Sequence, residues 1–168
     1  MDKINPLRSK IKSLKEFLII KNSILKNKQL IFTNGCFDIL HRGHIEYLQE
    51  AKTFGDILVI GLNSDSSVKK LKGEKRPINK EMDRAICLAA LETVDYVIIF
   101  NEETPYNLIK NIRPHVLIKG GDWREEEIVG YDIVKSYGGK VITSNFLSNY
   151  STTKIIQRIV NRYCKNKT

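Results

Sequence analysis

From Gln29 onward, short aliphatic and β-branched runs alternate with stretches in which apolar residues recur every three or four positions. The runs at 30–33, 57–62, 96–100, 116–119 and 140–143 are too continuously apolar to have one wet face, so they predict parallel strands covered on both sides. Between them, Leu48, Ala51 and Phe54 share a helical face, as do Met82, Ala85, Ile86 and Ala89, and then Pro105, Leu108, Ile109 and Ile112. Thr104 before Pro105 predicts a helix start with a hydroxyl cap and a first-turn proline. Residues 9–26 read as a mildly amphipathic, Lys-rich helix leading into the first strand. In the last helix Ile155, Ile156, Ile159 and Val160 form one stripe, with Lys154, Arg158 and Arg162 on another. That helix is expected to lie on the sheet with its basic edge in water. The fold class that follows is α/β, a single doubly wound five-stranded parallel sheet with helices on both faces.

Such a Rossmann-like sheet binds ligands outside the carboxyl ends of its strands, near the switch in strand order. Candidate positions are therefore 34–44, 63–65, 120–123 and the turn at 149–154. The 168 residues suit one domain, since a domain takes ~100–200. Without repeats or a long Pro/Gly/Ser linker, the expected division is a basic helical segment over 1–28, the α/β domain over 29–163 and a tail over 164–168.

Composition narrows the class. With 42% hydrophobic and 28% charged residues the chain is neither disordered nor collagen-like. Uncharged apolar runs such as 17–20 fall far short of the ~20 residues of a bilayer span. Residues 1–28 mix Lys among their apolar positions and lack a cleavage site, so a cytoplasmic location and no membrane partner are expected. Cys36, Cys87 and Cys164 are far apart and in no C-x-x-C pair, and read as reduced packing cysteines.

The net charge of +9 raises the question of nucleic acid. Its distribution answers it. Residues 1–28 carry +6 and residues 154–168 carry +5, leaving 29–153 at −2. A non-catalytic nucleotide- or nucleic-acid-binding module would need a continuous positive face with interleaved aromatics, which an acidic body with 8% aromatic residues does not supply.

The chemistry concentrates after the first strand, in 33–44 (TNGCFDILHRGH). His41 and His44 flank Gly43, which lets a ligand approach the backbone, beside a helix start whose free N–H groups attract anions. The pair could also be ordinary helix-start histidines, or a metal-chelating i, i+3 pair with His115 as a remote third imidazole. H-x-G-H after a buried strand favours phosphate. Residues 69–76 (KKLKGEKR) hold five cations against one acid, which taken alone fits a solvated loop as well as a phosphate site.

This H-x-G-H setting resembles the nucleotidyltransferase superfamily, which includes the cytidylyltransferases. Segments 33–43, 63–65 (NSD), 71–73 (LKG) with Arg76-Pro77, 119–122 (KGGD), 126–130 (EEIVG) and 151–156 (STTKII) more closely resemble the heptose 1-phosphate adenylyltransferase family. In bifunctional relatives this family is fused to a sugar kinase, and 168 residues resemble its stand-alone form. The resemblance implies ATP and D-glycero-β-D-manno-heptose 1-phosphate as substrates, and ADP-heptose and pyrophosphate as products for the lipopolysaccharide inner core. It implies Mg²⁺ held mainly through ATP phosphates, with its protein ligands unassigned, and a homodimer.

On this resemblance His41, His44 and Lys72 are the candidate catalytic residues. Thr33, Asn34, Gly35, Cys36, Phe37, Gly43, Lys119, Gly120, Gly121, Asp122, Ser151, Thr152 and Thr153 are candidates for the nucleotide. Asp38, Asn63, Asp65, Arg76, Arg84 and Trp123 are candidates for the acceptor. For Ser151–Thr153 capping is the plain alternative, and Asp38 could orient a histidine or reach metal or sugar. A CTP-dependent cytidylyltransferase acting on glycerol 3-phosphate or a similar alcohol phosphate shares the H-x-G-H and Ser-Thr-Thr-Lys segments. The Lys-Gly-Gly-Asp form and 126–130 favour the heptose branch.

Overall fold

All five runs are strands, four of them one or two residues longer at the carboxyl end than the apolar pattern predicts. In the computed structural model, which describes residues 6–144 and 150–164, the elements in order are α1 (Pro6–Lys10), β1 (Ile11–Lys12), α2 (Leu14–Leu25), β2 (Leu30–Gly35), α3 (Arg42–Lys52), β3 (Ile57–Asn63), α4 (Asp65–Lys72), α5 (Glu81–Ala89), β4 (Tyr96–Phe100), α6 (Tyr106–Ile112), β5 (Val116–Gly120), a 3-10 turn (Glu125–Glu127), α7 (Tyr131–Ser136), β6 (Lys140–Ser144) and α8 (Thr152–Tyr163). Residue 149, at the start of the predicted 149–154 turn, and 165–168 of the predicted tail lie outside the described residues.

The sheet has six strands, not five, in the order β1-β4-β3-β2-β5-β6, and every pairing is parallel. The added strand is β1, where Ile11 pairs with Val97 and Lys12 with Ile98 at the sheet edge. Two residues are too few to show a period, so the sequence pattern carries the helix through them. The helix expected over 9–26 is instead α1, β1 and α2, the last restarted by a capping box in which Ser13 and Glu16 bond each other's backbone N–H. Lys10 Nζ ties this edge down by donating to the carbonyls of Leu91 and Val94, at 3.3 and 2.8 Å.

Alternate residues of each strand feed two cores. Ile31, Leu58, Ile60 and Val97 pack with α3 and α5 on one face, while Leu30, Phe32, Val59 and Ile98 pack with α2, α6 and α7 on the other. Such fully buried central strands explain the unbroken apolar runs. Three helical details differ from the pattern. Phe54 lies beyond the end of α3 and is 36% exposed. Met82 faces solvent while Leu88 takes the core position on α5. The N-cap of α6 is Pro105, with no side-chain cap bond, so the Thr104 hydroxyl does not cap it.

The largest departure is α8, which does not lie on the sheet. Ile155 and Ile156 are half-buried, but every residue from Gln157 to Cys164 is exposed, including Ile159 at 49% and Tyr163 at 73%. An amphipathic period establishes that a helix has an apolar face, not which surface covers it.

The chain leaves β2 toward β3 on one side and later adds β5 on β2's other side. Loops after β2 and β5 therefore diverge, which opens a crevice at their carboxyl ends.

Candidate active site

That crevice is a cavity of about 530 Å³. Its walls come from the loop after β2, the first turn of α3, the end of α4, the loops after β4 and β5, and the lead-in to α8.

His41 is the N-cap of α3, its backbone extended and its Nδ1 accepting from His44 N–H at 3.3 Å. The two imidazoles stack, with centroids 3.7 Å apart and planes 15° from parallel. Phe37 tilts against His44, with ring centroids 5.2 Å apart. Burial, and then the charge of His41, push the His44 pKa down to about 4, and burial lowers that of His41. Both rings are therefore neutral at pH 7 in the free protein. Buried His44 Nδ1 finds no hydrogen-bond partner among the described residues.

Cations surround the Cys36 position. Lys72, Arg84, Lys119 and Arg76 all act on its thiol, yet burial outweighs them and raises its pKa, so it carries no compensating charge at pH 7. Lys119 donates from Nζ to Asn34 Oδ1 at 3.3 Å, and burial lowers its pKa. Its neighbour in that bond is a neutral amide. Arg76 and Arg84 are paired with Asp38 and Asp65, so a polyanion entering the crevice meets chiefly Lys72 and Lys119, which make no carboxylate ion pair among the described residues.

Asp38, although it lines the cavity, is occupied. Its carboxylate accepts from the N–H groups of Ile78 and Asn79, at 2.8 and 2.9 Å, and from Arg76 Nε at 2.6 Å. Burial alone would raise its pKa, but these bonds outweigh it and hold the carboxyl below its ordinary value. Asp38 thus pins the loop before α5 to the loop after β2, rather than orienting a histidine.

Arg84 is likewise structural in position. At 1% exposure its guanidinium donates to the carbonyls of Cys36, Asn63 and Asn79 and pairs with Asp65 at 2.8 Å. Neither Arg84 nor Asp65 lines the cavity, in contrast to their reading as acceptor ligands. Thr33 is also behind the wall, its hydroxyl 2.6 Å from Tyr47 Oη. Gly43 is buried, and a Cβ there would lie 2.9 Å from Tyr150 Cβ and 3.2 Å from His41 Nδ1. Gly121, at φ +122°, lets the Trp123 indole fold over it, while Asp122 is exposed outside the cavity.

The remaining candidates come together at the wall: Asn34 and Gly35 at the end of β2 with Cys36 and Phe37 after it, Asn63 at the end of β3, Lys72 and Arg76, Lys119 and Gly120 at the end of β5, Trp123, and Ser151, Thr152 and Thr153 at α8. Ser151 also caps α8, its hydroxyl accepting from Lys154 N–H at 3.1 Å. Glu103 and Thr104 also line the crevice and carried no signal in the sequence as site residues. Glu127, Ile128 and Val129 fall within the 126–130 segment, and Tyr150, whose ring centroid lies 6.3 Å from that of His41, falls within the candidate 149–154 turn, although the sequence did not single out any of the four. Among the described residues no group of three or more His, Cys, Asp or Glu could hold a metal ion, so they form no metal cage.

The family sequence model described as cytidylyltransferase-like matches residues 32–158, from β2 into α8. The chain belongs to the cytidylyltransferase-like family. It is a nucleotidyltransferase domain by that membership. It is 53% identical over 146 residues to the bifunctional protein HldE of Pelobacter propionicus, covering 87% of this chain and 30% of that protein. Over 140 residues it is 59% identical to the bifunctional protein HldE of Aliarcobacter butzleri, covering 83% of this chain and 29% of that one. The chain thus spans about three-tenths of these relatives' length. Among solved structures it resembles a lipopolysaccharide core biosynthesis protein from Thermoplasma volcanium, with TM-score 0.60 and 29% identity over 74% of this chain and 99% of that one. A pantoate-β-alanine ligase from Francisella tularensis, at 20% identity and TM-score 0.60 over 90% of this chain and 76% of that one, shares the fold. The crevice of about 530 Å³ brings the stacked His41 and His44 of the H-x-G-H segment together with Lys72 and Lys119.

Proposed function

We propose that this chain transfers AMP from ATP to D-glycero-β-D-manno-heptose 1-phosphate, giving ADP-heptose and pyrophosphate for the lipopolysaccharide inner core. The observation that carries the reading is the 50–59% identity to HldE proteins over most of the chain, joined to the His41–His44 pair at the mouth of a cation-lined crevice. The lipopolysaccharide core biosynthesis protein among its structural relatives supports the same pathway.

A phosphate oxygen of the sugar phosphate attacks the α-phosphorus of ATP. The new bond forms as the bond from that phosphorus to the oxygen bridging to the β-phosphorus breaks, and pyrophosphate leaves with the electron pair. The nucleophile is already ionised at pH 7, so the work is alignment and charge stabilisation. His41 and His44 meet the α- and β-phosphates, Ser151, Thr152 and Thr153 with the α8 N-terminus meet the β- and γ-phosphates, and Lys72 and Lys119 meet developing negative charge. Asn34, Gly35, Cys36, Phe37 and Gly120 line the nucleotide's path, while Asn63, Arg76 and Trp123 border the acceptor. Because the described residues offer no cluster of metal-ligating side chains, a Mg²⁺ ion would be held mainly by the triphosphate itself and would supply neutralisation of its charge.

A cytoplasmic location is supported by the proposed use of ATP; no described helix is long and apolar enough to cross a membrane. A homodimer is supported by the uncovered stripe of Ile159, Val160 and Tyr163 on α8; light scattering on the purified protein should give twice the 19.3 kDa chain mass. The activity is tested by pyrophosphate release with ATP, CTP and GTP against heptose 1-phosphate and glycerol 3-phosphate. ATP with the heptose phosphate should dominate; equal turnover of CTP with glycerol 3-phosphate would replace this reading by the cytidylyltransferase one.

A further inference from the structure

Carboxylates line the crevice as well as cations: beside His41, His44, Lys72 and Lys119, the loop after β4 brings Glu103 and Thr104 and the loop after β5 brings Glu127 and Val129. A carboxylate beside a phosphate is repelled, so in a crevice that takes two phosphorylated substrates these acidic positions belong with their neutral parts. Glu127 is already held by Arg124, at 2.6 Å. Glu103 makes a looser ion pair, 3.9 Å from Lys70, with its side chain 67% exposed. The Thr104 hydroxyl is not used to cap α6.

Position separates the substrates further. The switch between β2 and β5 takes the nucleotide, whereas Glu103 and Thr104 follow β4, two strands from β2 on the opposite side from β5. Lys72 lines the crevice at the end of α4, the helix whose Lys70 pairs with Glu103, and so offers a cation near this edge for the acceptor's phosphate. We infer that Glu103 and Thr104 read the hydroxyl groups of the acceptor's sugar, making them specificity residues that select a polyol phosphate. The inference rests on the sugar-phosphate acceptor proposed above. A carboxylate accepts bonds from hydroxyls and a threonine hydroxyl both accepts and donates, which suits adjacent hydroxyls on a sugar ring.

The test is steady-state pyrophosphate release by the full chain and its Glu103→Ala and Thr104→Val variants, varying ATP and heptose 1-phosphate separately. Both positions are exposed, so folding should be unaffected. Glu103→Ala should raise KM for the sugar phosphate about tenfold, the worth of one charge-assisted hydrogen bond, with KM for ATP and kcat within about twofold of the parent. The sign is diagnostic, because removing a carboxylate that faced phosphate would lower KM instead. Thr104→Val should move the same constant by a smaller factor. An unchanged or lowered KM for the sugar phosphate, or an equal rise for ATP, would overturn the inference while leaving the proposed activity standing. A parent enzyme that does not turn over the sugar phosphate would overturn both.

Discussion

The His44 imidazole stacks on that of His41 at 3.7 Å between ring centroids, and the pair shares one helix start, where His41 Nδ1 accepts from His44 N–H. Two rings this close cannot both charge at low cost, and burial adds to the penalty. His44 is accordingly held neutral, with its pKa lowered to about 4. Imidazole NMR should show it titrating near that value in the free protein and moving upward with a nonhydrolysable ATP analogue, whose phosphate oxygens favour the protonated ring. Its ordinary value is 6.5, so the unfolded chain binds the extra proton between 6.5 and about 4. The stability His44 contributes is therefore complete above that window and lost as pH falls through it. His44→Gln should flatten the loss in urea unfolding curves and lower turnover about 10²-fold or more. Ordinary titration unaffected by nucleotide would remove His44 from the phosphate site.

Gly43→Ala tests the close approach behind that pair. The added Cβ would lie 2.9 Å from Tyr150 Cβ, an atom fixed to the backbone rather than at the end of a flexible side chain. Either the segment leading into α8 or the His41 ring must shift. Since Ser151–Thr153 follows directly, ATP affinity should fall about tenfold or more, because misplacements of ~1 Å cost catalysis heavily. Isothermal titration with an ATP analogue measures it, and unchanged affinity would mean that α8 moves without consequence.

The strands and the H-x-G-H segment were legible because their signals are local: continuous burial writes an unbroken apolar run, and the turn at the crevice writes its glycine and histidines within four residues. The roles of Asp38 and Arg84 were not, because their partners lie 40 and 48 positions away, at Ile78 and Cys36, and a charged side chain looks the same in sequence whether it meets substrate or backbone. β1 escaped because a two-residue strand has no period. The covering of α8 escaped because its stripe names a face without naming a partner. The wall at Glu103 and Thr104 escaped because Thr-Pro carries a strong helix-start meaning that hid its place at the crevice.

Asp38→Asn keeps the shape of the side chain while removing its charge. The amide has one acceptor oxygen where the carboxylate offers two, and leaves the Arg76 guanidinium, 2.6 Å away, without its anion. The loop carrying Ile78 and Asn79 should loosen, with stability falling by about 1–3 kcal/mol and KM for the sugar phosphate rising. Hydrogen exchange at the amides of Ile78 and Asn79 gives the direct readout. Protection equal to the parent's would show that the backbone bonds do not depend on the charge.

Arg84→Lys separates a structural strut from a substrate ligand. The Arg84 guanidinium reaches Cys36 after β2, Asn63 at the end of β3, Asn79 before α5 and Asp65 on α4, all within 2.9 Å. Its planar fork satisfies four acceptors in fixed directions, whereas a lysine ammonium has three donors on one rotating point. A substrate-binding arginine replaced by lysine would lose affinity with little change in stability. Buried at 1% exposure, Arg84→Lys should instead destabilise by about 3 kcal/mol or more, the scale for breaking a buried charge network. Residual activity should then follow the folded fraction, with both KM values near the parent's where the variant is folded. Urea unfolding beside steady-state kinetics at reduced temperature distinguishes the two, and full stability with a raised KM would return Arg84 to the substrate's contacts.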